Sequence, residues 1–529
     1  MTWLALLLLA CSTSCSKGEP WAEELELHPD LIALHAKIDP ALRRRCQSDA
    51  SCPFQNRLAT KGAACWGFES DCQFDGSYSS SLVECSGESR YPNIRTKADH
   101  QWRSRDWQGD FGYLKEQASS FFDICRSRSD DPAGSYLGCN RHLRYCKARN
   151  IYFDFKSLEH QKSKRYRENV INEGEVGGRC SDFFKADRIR DNQEHKSYLQ
   201  SWADELEHFD SYDSFRMDSS SCDVVFDKPT FIIKLDASVN MFHHFCDFVN
   251  LYASQFLNGS FALDVDILWW DTHPAGFRDP MFGATWRAFS KNPPVELISL
   301  DGKRVCFRDA VLPLLARMRL GLYYNMPVID GCSGSGLFHA FSKHLVHRLE
   351  IPQRGPLRRR LRVTLLCRST HFRRILNEDE LANALKTIWY FEVRRVDYNS
   401  KVPFLEQLES THNSDILIGM HGSGLTHLLF LPDWAAVFEL YNCEDERCYY
   451  DLARLRGVHY RTWHKQDKIF PDSEGKHPTL GTPHKKFANY AFDVEEFLRI
   501  VLEMAEVVER HPALAQARRL KLTTTREEL

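Results

Sequence analysis

From residue 222 onward, short apolar runs alternate with amphipathic stretches. Phe231–Leu235 reads as a strand and Met241–Phe256 as a helix. Val265–Trp270 and Val295–Leu300 read as further strands. Ser335–Arg348 has the i, i+3, i+4 spacing of a helix, with Leu337, Phe341, His344, Leu345 and Arg348 on one face. After residue 360 the alternation sharpens. Leu361–Cys367, Phe391–Val396, Asp415–Met420 and Ala435–Tyr441 read as buried strands. Asn377–Ile388, Pro403–Ser410 and the short Gly424–Leu431 read as the helices between them, and acidic residues open the first of these, as the helix dipole favours. Strands and helices in strict alternation with short connections predict a parallel, doubly wound α/β sheet. Ligands of such sheets bind outside the carboxyl ends of the strands, which directs attention to Arg368, His421 and Glu439.

The first 150 residues follow no such pattern. Cys46, Cys52, Cys65, Cys72, Cys85, Cys125, Cys139 and Cys146 crowd this part of a chain that has 18 cysteines in 529 residues. That density predicts an oxidising compartment and a disulfide-stapled module whose pairing the sequence leaves open. The Cys-x6-Cys-x6-Cys spacing does not match a zinc site. The divisions expected are 1–16 signal peptide, 20–150 cysteine-rich module, 151–221 linker and helical segment, 222–355 first α/β half, 356–510 second α/β half, and 511–529 C-terminal tail.

The two ends agree with that compartment. Trp3–Ala10 is apolar but far shorter than the roughly 20 residues that span a bilayer, so it reads as a signal-peptide core. Arg526-Glu527-Glu528-Leu529 is a variant of the retrieval signal that a receptor reads in the endoplasmic reticulum. Asn258-Gly259-Ser260 is a glycosylation sequon. A net charge of −3 gives no general attraction to nucleic acid or membrane, and no second apolar stretch is long enough to span one.

Three segments carry chemistry. Arg368-Ser-Thr-His371-Phe-Arg373-Arg374-Ile-Leu-Asn377 lies between a strand end and a helix N-terminus, where guanidinium groups and free N–H groups both attract anions. A diphosphate is the natural guest; the bland alternative is a solvated basic loop. Met420-His421-Gly422-Ser423-Gly424 also follows a strand and opens a helix, and its glycines admit a ligand close to the backbone. It lacks the G-x-S-x-G spacing of a hydrolase nucleophile. Phe242-His243-His244-Phe245-Cys246-Asp247 puts His243 and Asp247 four residues apart on one helix face, as a base and its orienting partner would be. Asp264-Val265-Asp266 is a formal D-x-D of the sort that holds a metal–diphosphate, at the edge of a strand.

These segments, with the long run Leu428–Cys448, resemble the family of EGF-domain-specific O-linked N-acetylglucosaminyltransferases, over most of the chain from about residue 45. The resemblance implies an inverting glycosyltransferase with two Rossmann-like halves (the GT-B arrangement), while the two ends and the cysteines point to the endoplasmic reticulum lumen. UDP-N-acetylglucosamine would be the donor and a Ser or Thr of a folded EGF-like repeat, Notch-type receptors included, the acceptor. On this chain it puts Arg368, Arg373, Asn377, His421 and Gly422 in the donor-side motifs, which Gly424 of the glycine turn and Glu439 at its strand end join as donor-binding candidates, and His243 and Asp247 in the catalytic cleft, with Asp247 as base and His243 beside it. Lys291-Asn292-Pro293 stands where close relatives can carry Asp-x-Asp, which counts against a metal role for that segment; no metal ligand is assigned, and the dependence on a divalent metal stays open. Two other readings remain: an N-acetylglucosaminyltransferase acting on O-mannose or another glycan, and a non-catalytic chaperone that binds glycans or EGF repeats.

Overall fold

The computed structural model describes residues 25–52, 55, 84–85, 113–158, 171–193, 201–270, 279–318, 323, 332–333 and 335–527. The expected signal peptide, Cys65, Cys72 and the final residues Glu528 and Leu529 lie outside them.

The second half is built as its alternation predicts. Leu361–Leu366, Phe391–Val396, Ile416–Gly419, Ala436–Glu439 and His459–Thr462 form one all-parallel sheet. Taking these strands as first to fifth in the chain, their order across the sheet is second, first, third, fourth, fifth. The direction of winding therefore reverses between Leu361–Leu366 and Ile416–Gly419, and the crevice at their carboxyl ends is the place for a ligand. The central strands are buried on both faces because helices cover both, which is why they read as unbroken apolar runs. Glu378–Lys386, Phe404–His412, Cys448–Arg456 and Val494–Arg510 are the principal helices around this sheet.

The first half centres on an 11-stranded sheet. Thr230–Ile233, Asp266–Trp269 and Val295–Glu296 run parallel, and Arg304–Leu312 runs parallel to Thr230–Ile233. The expected Val295–Leu300 strand shortens to two residues and then turns into a 3₁₀ helix over Leu297–Leu300. Antiparallel strands Phe122–Arg126, Tyr136–Cys139 and Cys146–Asp154 continue the sheet on the far side of Arg304–Leu312. Residues assigned by sequence to a separate 20–150 module thus share a sheet with the α/β half. Cross-strand hydrogen bonding through Arg304–Leu312 decides this, and no local pattern announces it. Four disulfides fall among the described residues: Cys46–Cys52, Cys125–Cys180, Cys139–Cys146 and Cys222–Cys306.

One helix matters most for the site. Met241–Asn258 starts where the Asn240 side chain accepts the Phe242 N–H, and it ends at Gly259, whose left-handed φ of 76° stops it. Nearly every side chain from His244 to Phe256 is buried, so this helix runs through the core rather than over the surface. Its Phe245 ring meets Phe404 at 5.7 Å and Phe430 at 5.5 Å, joining the two halves in one continuous hydrophobic core. Truncation of such a buried ring costs about 3–5 kcal/mol. The sequon residue Asn258 is the last of this helix and is half-buried, not at the tip of an exposed loop. Among the described residues no helix is long and apolar enough to cross a membrane.

Candidate active site

The strand Leu361–Leu366 delivers Arg368 to the crevice, and Ile416–Gly419 delivers His421 beside it. Arg368 lies directly over Gly422, where a Cβ would collide with its guanidinium. Gly422 has φ +157°, which only glycine adopts readily, so conformation and close approach both require the residue found there. A Cβ on Gly424 would come to 2.8 Å from Leu366 Cδ2, so this glycine lets the 3₁₀ turn over Ser423–Phe430 sit down on the strand.

Arg373 completes the basic pair. Its backbone takes the left-handed conformation at φ 60° and its N–H bonds the Ala488 carbonyl. One guanidinium nitrogen donates to the His421 carbonyl at 3.3 Å, while the buried Nε has no partner among the described residues. Burial, and then the neighbouring Arg373, lower the Arg368 pKa to about 10. Two guanidinium groups near enough for the charge of one to lower the pKa of the other, with a buried donor left over, form a site that an anion would relieve.

His421 is held from behind. Its Nδ1 lies 2.7 Å from Glu439 Oε1, and Glu439 is fully buried with its other oxygen accepting from the Tyr460 hydroxyl. Glu439 therefore serves the site through His421. Asn377 is spent elsewhere: its amide brackets the backbone of Phe492, donating to the carbonyl at 2.8 Å and accepting the N–H at 3.0 Å. The expectation of a donor contact from Asn377 gives way to a loop-anchoring role, because the tertiary pairing of the 372–377 loop with the 490–492 strand saturates it.

The helix side differs more from expectation. His243 does not pair with Asp247. Its Nδ1 lies 2.8 Å from Asp236 Oδ2, and Arg317 Nε donates to the same oxygen at 2.9 Å. Asp236 follows the Thr230–Ile233 strand, so its carboxylate reaches the helix N-terminus from a different element. Burial raises the Asp236 pKa, but hydrogen bonds from His243 and Arg317 outweigh it, and the net shift is downward. Asp247, four residues on, points into the core with its side chain 1% exposed. It accepts the Asp236 backbone N–H and bonds His244 Nδ1 at 3.1 Å. Helical spacing put His243 and Asp247 on one face; a carboxylate from outside the helix took the partnership. Asp236 stands just past a strand end, the one signal that marks it in the sequence, whereas Arg317 carries none.

Two ring contacts connect these sites across the halves. Phe242 meets Tyr449 at 5.7 Å, and Tyr449 meets His421 at 5.2 Å.

Two groupings have metal-like composition. The Asp264/Asp266 pair is held by ammonium and amide groups: Lys228 Nζ is 2.7 Å and Lys291 Nζ 3.6 Å from Asp264, and Asn292 donates to Asp266 at 3.2 Å. Lysines here occupy the position that a D-x-D would give a cation. His421, Asp445 and Cys448 also converge, but Lys486 Nζ lies 2.7 Å from the Asp445 carboxylate and burial raises the Cys448 thiol pKa, which opposes the thiolate a metal needs.

Comparison with known proteins accords with this geometry. Residues 322–438 match the Glycosyltransferase 61 model. The EGF domain-specific O-linked N-acetylglucosamine transferase of Canis lupus familiaris is 48% identical over 468 residues, covering 88% of this chain and 86% of that protein. The proteins of the same name from Xenopus laevis and Drosophila melanogaster are 46% identical over 96% of this chain and 47% identical over 85%, covering 93% and 85% of their own lengths. An anion-ready arginine pair at a parallel-sheet switch point, faced by a carboxylate-oriented histidine, is thus carried by a chain that belongs to the EGF domain-specific O-linked N-acetylglucosamine transferases, glycosyltransferases of family 61.

Proposed function

We propose that this enzyme transfers N-acetylglucosamine from UDP-N-acetylglucosamine to a Ser or Thr hydroxyl of a folded EGF-like repeat, Notch-type repeats included, with inversion, in the endoplasmic reticulum lumen. The observation that carries the reading is the pairing of the Arg368–Arg373 site with the His243–Asp236 pair across the Phe242–Tyr449–His421 contact.

In this reading the two halves are the Rossmann-like halves of a GT-B enzyme, and the donor diphosphate lies on Arg368, Arg373 and the Gly422 backbone. The carboxylate of Asp236 places the proton of His243 on Nδ1, so Nε2 carries the lone pair. Nε2 takes the acceptor hydroxyl proton as the oxygen attacks C1 of the sugar. The C1–O bond to the diphosphate breaks on the opposite face, which inverts the anomeric centre. Arginine charge fixed before the reaction takes up the negative charge of the departing UDP. Asp247 is too deeply buried to meet the acceptor, so the base in this reading is His243, with Asp236 orienting it.

Disulfides in both the sheet and the N-terminal segment, the apolar run at Trp3–Ala10 and the tail Arg526–Leu529, which a retrieval receptor would read, support the lumenal location. The test is incubation of the purified protein with UDP-N-acetylglucosamine and a single folded EGF repeat, read by mass spectrometry. Addition of one N-acetylhexosamine is expected. No addition from this donor, with addition from another nucleotide sugar, overturns the reading.

A further inference from the structure

His243 and His244 are neighbours with opposite surroundings. His243 is partly exposed; His244 is fully buried, with Nδ1 3.1 Å from Asp247 and Nε2 2.7 Å from Asp279. Both ring nitrogens thus face carboxylate oxygens, and with both carboxylates ionised the two bonds form together only in the doubly protonated ring. Burial alone would lower the His244 pKa, but the two carboxylates outweigh it and raise it to about 9. Asp279 is itself anchored. Its Oδ2 accepts from Trp286 Nε1 at 3.0 Å and its Oδ1 from the Phe282 N–H at 2.9 Å. At the other end, Asp247 accepts the Asp236 N–H with both oxygens, at 3.3 and 3.2 Å.

The chain of contacts therefore runs Trp286, Asp279, His244, Asp247, the Asp236 backbone and His243. Buried ionic chains of this kind are poor sources of stability, since desolvation offsets their attraction. What this one supplies is position: it ties a backbone N–H outside the helix to a fixed point inside it.

We infer that Asp279 and His244 are positioning residues for sugar transfer, acting through Asp247 to fix Asp236 and with it the orientation of His243. The inference rests on the reading of His243 as the base. A base displaced by a fraction of an ångström loses its alignment with the acceptor while donor binding, on the other half, is untouched. The titratable groups that face His244 are Asp247 on its own helix and Asp279 on the segment before residues 283–288, with Asp236 beyond Asp247. Deprotonation of His244 removes the charge that holds this set together, so kcat falls on the alkaline side as pH rises through the His244 pKa.

The test compares Asp279→Asn and wild type in full-length protein, with UDP-N-acetylglucosamine and a folded EGF repeat, after thermal unfolding has shown both to be folded. With one carboxylate gone, the alkaline limb of kcat should move to lower pH. At neutral pH kcat should drop about 10- to 100-fold, and KM for the nucleotide sugar should stay within about two-fold, as expected for a group remote from the donor. An unchanged kcat and an unmoved limb overturn the inference. Should Asp279→Asn fail to fold, Trp286→Phe removes only one hydrogen bond to Asp279, and a several-fold drop in kcat with KM unchanged is expected; no drop overturns it. His243→Gln separates the two claims. If it abolishes transfer while Asp279→Asn is normal, only the positioning inference fails; if it leaves kcat intact, the assignment of the base fails, and the inference with it.

Discussion

The guanidinium of Arg368 rests on the backbone of Gly422, in the space that any larger residue would need for its Cβ. The two residues stand at the ends of adjacent parallel strands, and their contact builds the floor of the proposed donor site.

Gly422→Ala should displace Arg368 and strain a backbone that requires φ +157°. A loss of one good charge-assisted contact, about 1.5–3 kcal/mol, corresponds to a rise in KM for UDP-N-acetylglucosamine of about 10-fold or more. Steady-state kinetics with the donor varied will show it. A KM equal to wild type would mean that Arg368 does not meet the diphosphate.

Asp236→Asn and Asp247→Asn should behave differently. The first removes the carboxylate that orients His243 and should lower kcat by about 10²–10⁴-fold, the usual worth of general-base catalysis. The second cuts the link through which His244 holds the Asp236 backbone and disturbs a buried ion pair, so it should lower kcat by about 10- to 100-fold, less than the first, and lower stability as well. Paired measurements of kcat and thermal midpoint distinguish them. Equal losses of kcat at equal stability would return the base role to Asp247.

Cys222 and Cys306 close a loop of 84 residues between Val224–Phe226 and the long strand Arg304–Leu312. Loop-closure entropy puts the worth of such a crosslink at about 4.5 kcal/mol. Replacing both cysteines with serine should lower unfolding stability in urea by about that amount, while the more distant Arg368 site keeps its nucleotide affinity.

His35 and His344 are fully buried, and among the described residues neither ring nitrogen of His35 has a hydrogen-bond partner. Burial first, then Arg348, hold both pKa values well below 6.5, and His347 and His35 add to the effect on His344. Well above pH 6.5 both histidines are neutral, folded or unfolded, and add nothing to the pH dependence of stability. As pH falls below 6.5 only the unfolded state gains protons, so stability declines by about 1.4 kcal/mol per pH unit for each histidine. Hydrogen exchange at pH 5 should show loosening of the Pro29–Ile38 helix, which packs His35 against Phe261 at 3.9 Å. His35→Leu should remove its share of the acid sensitivity. Equal stability of wild type at pH 5 and pH 7 would contradict the prediction.

What the sequence determined by itself was whatever depends on near neighbours. Apolar runs at Leu361–Leu366 and Ile416–Gly419, glycines at 422 and 424 and arginines just past a strand end carry their meaning within a dozen residues, because strand burial, helix starts and tight backbone approach are local properties. They suffice to locate the Arg368–His421 crevice. Helical spacing likewise brought His243 and Asp247 to notice, but it chose the wrong pairing. The tertiary structure alone decided that Asp236, Arg317 and Asp279 come from three other segments to meet this helix, that Asn377 is spent on Phe492, and that strands from the cysteine-rich region join the first sheet. Partners fixed by packing between distant segments leave no periodic trace in either, because the bond depends on where two backbones pass in space rather than on how far apart they lie along the chain.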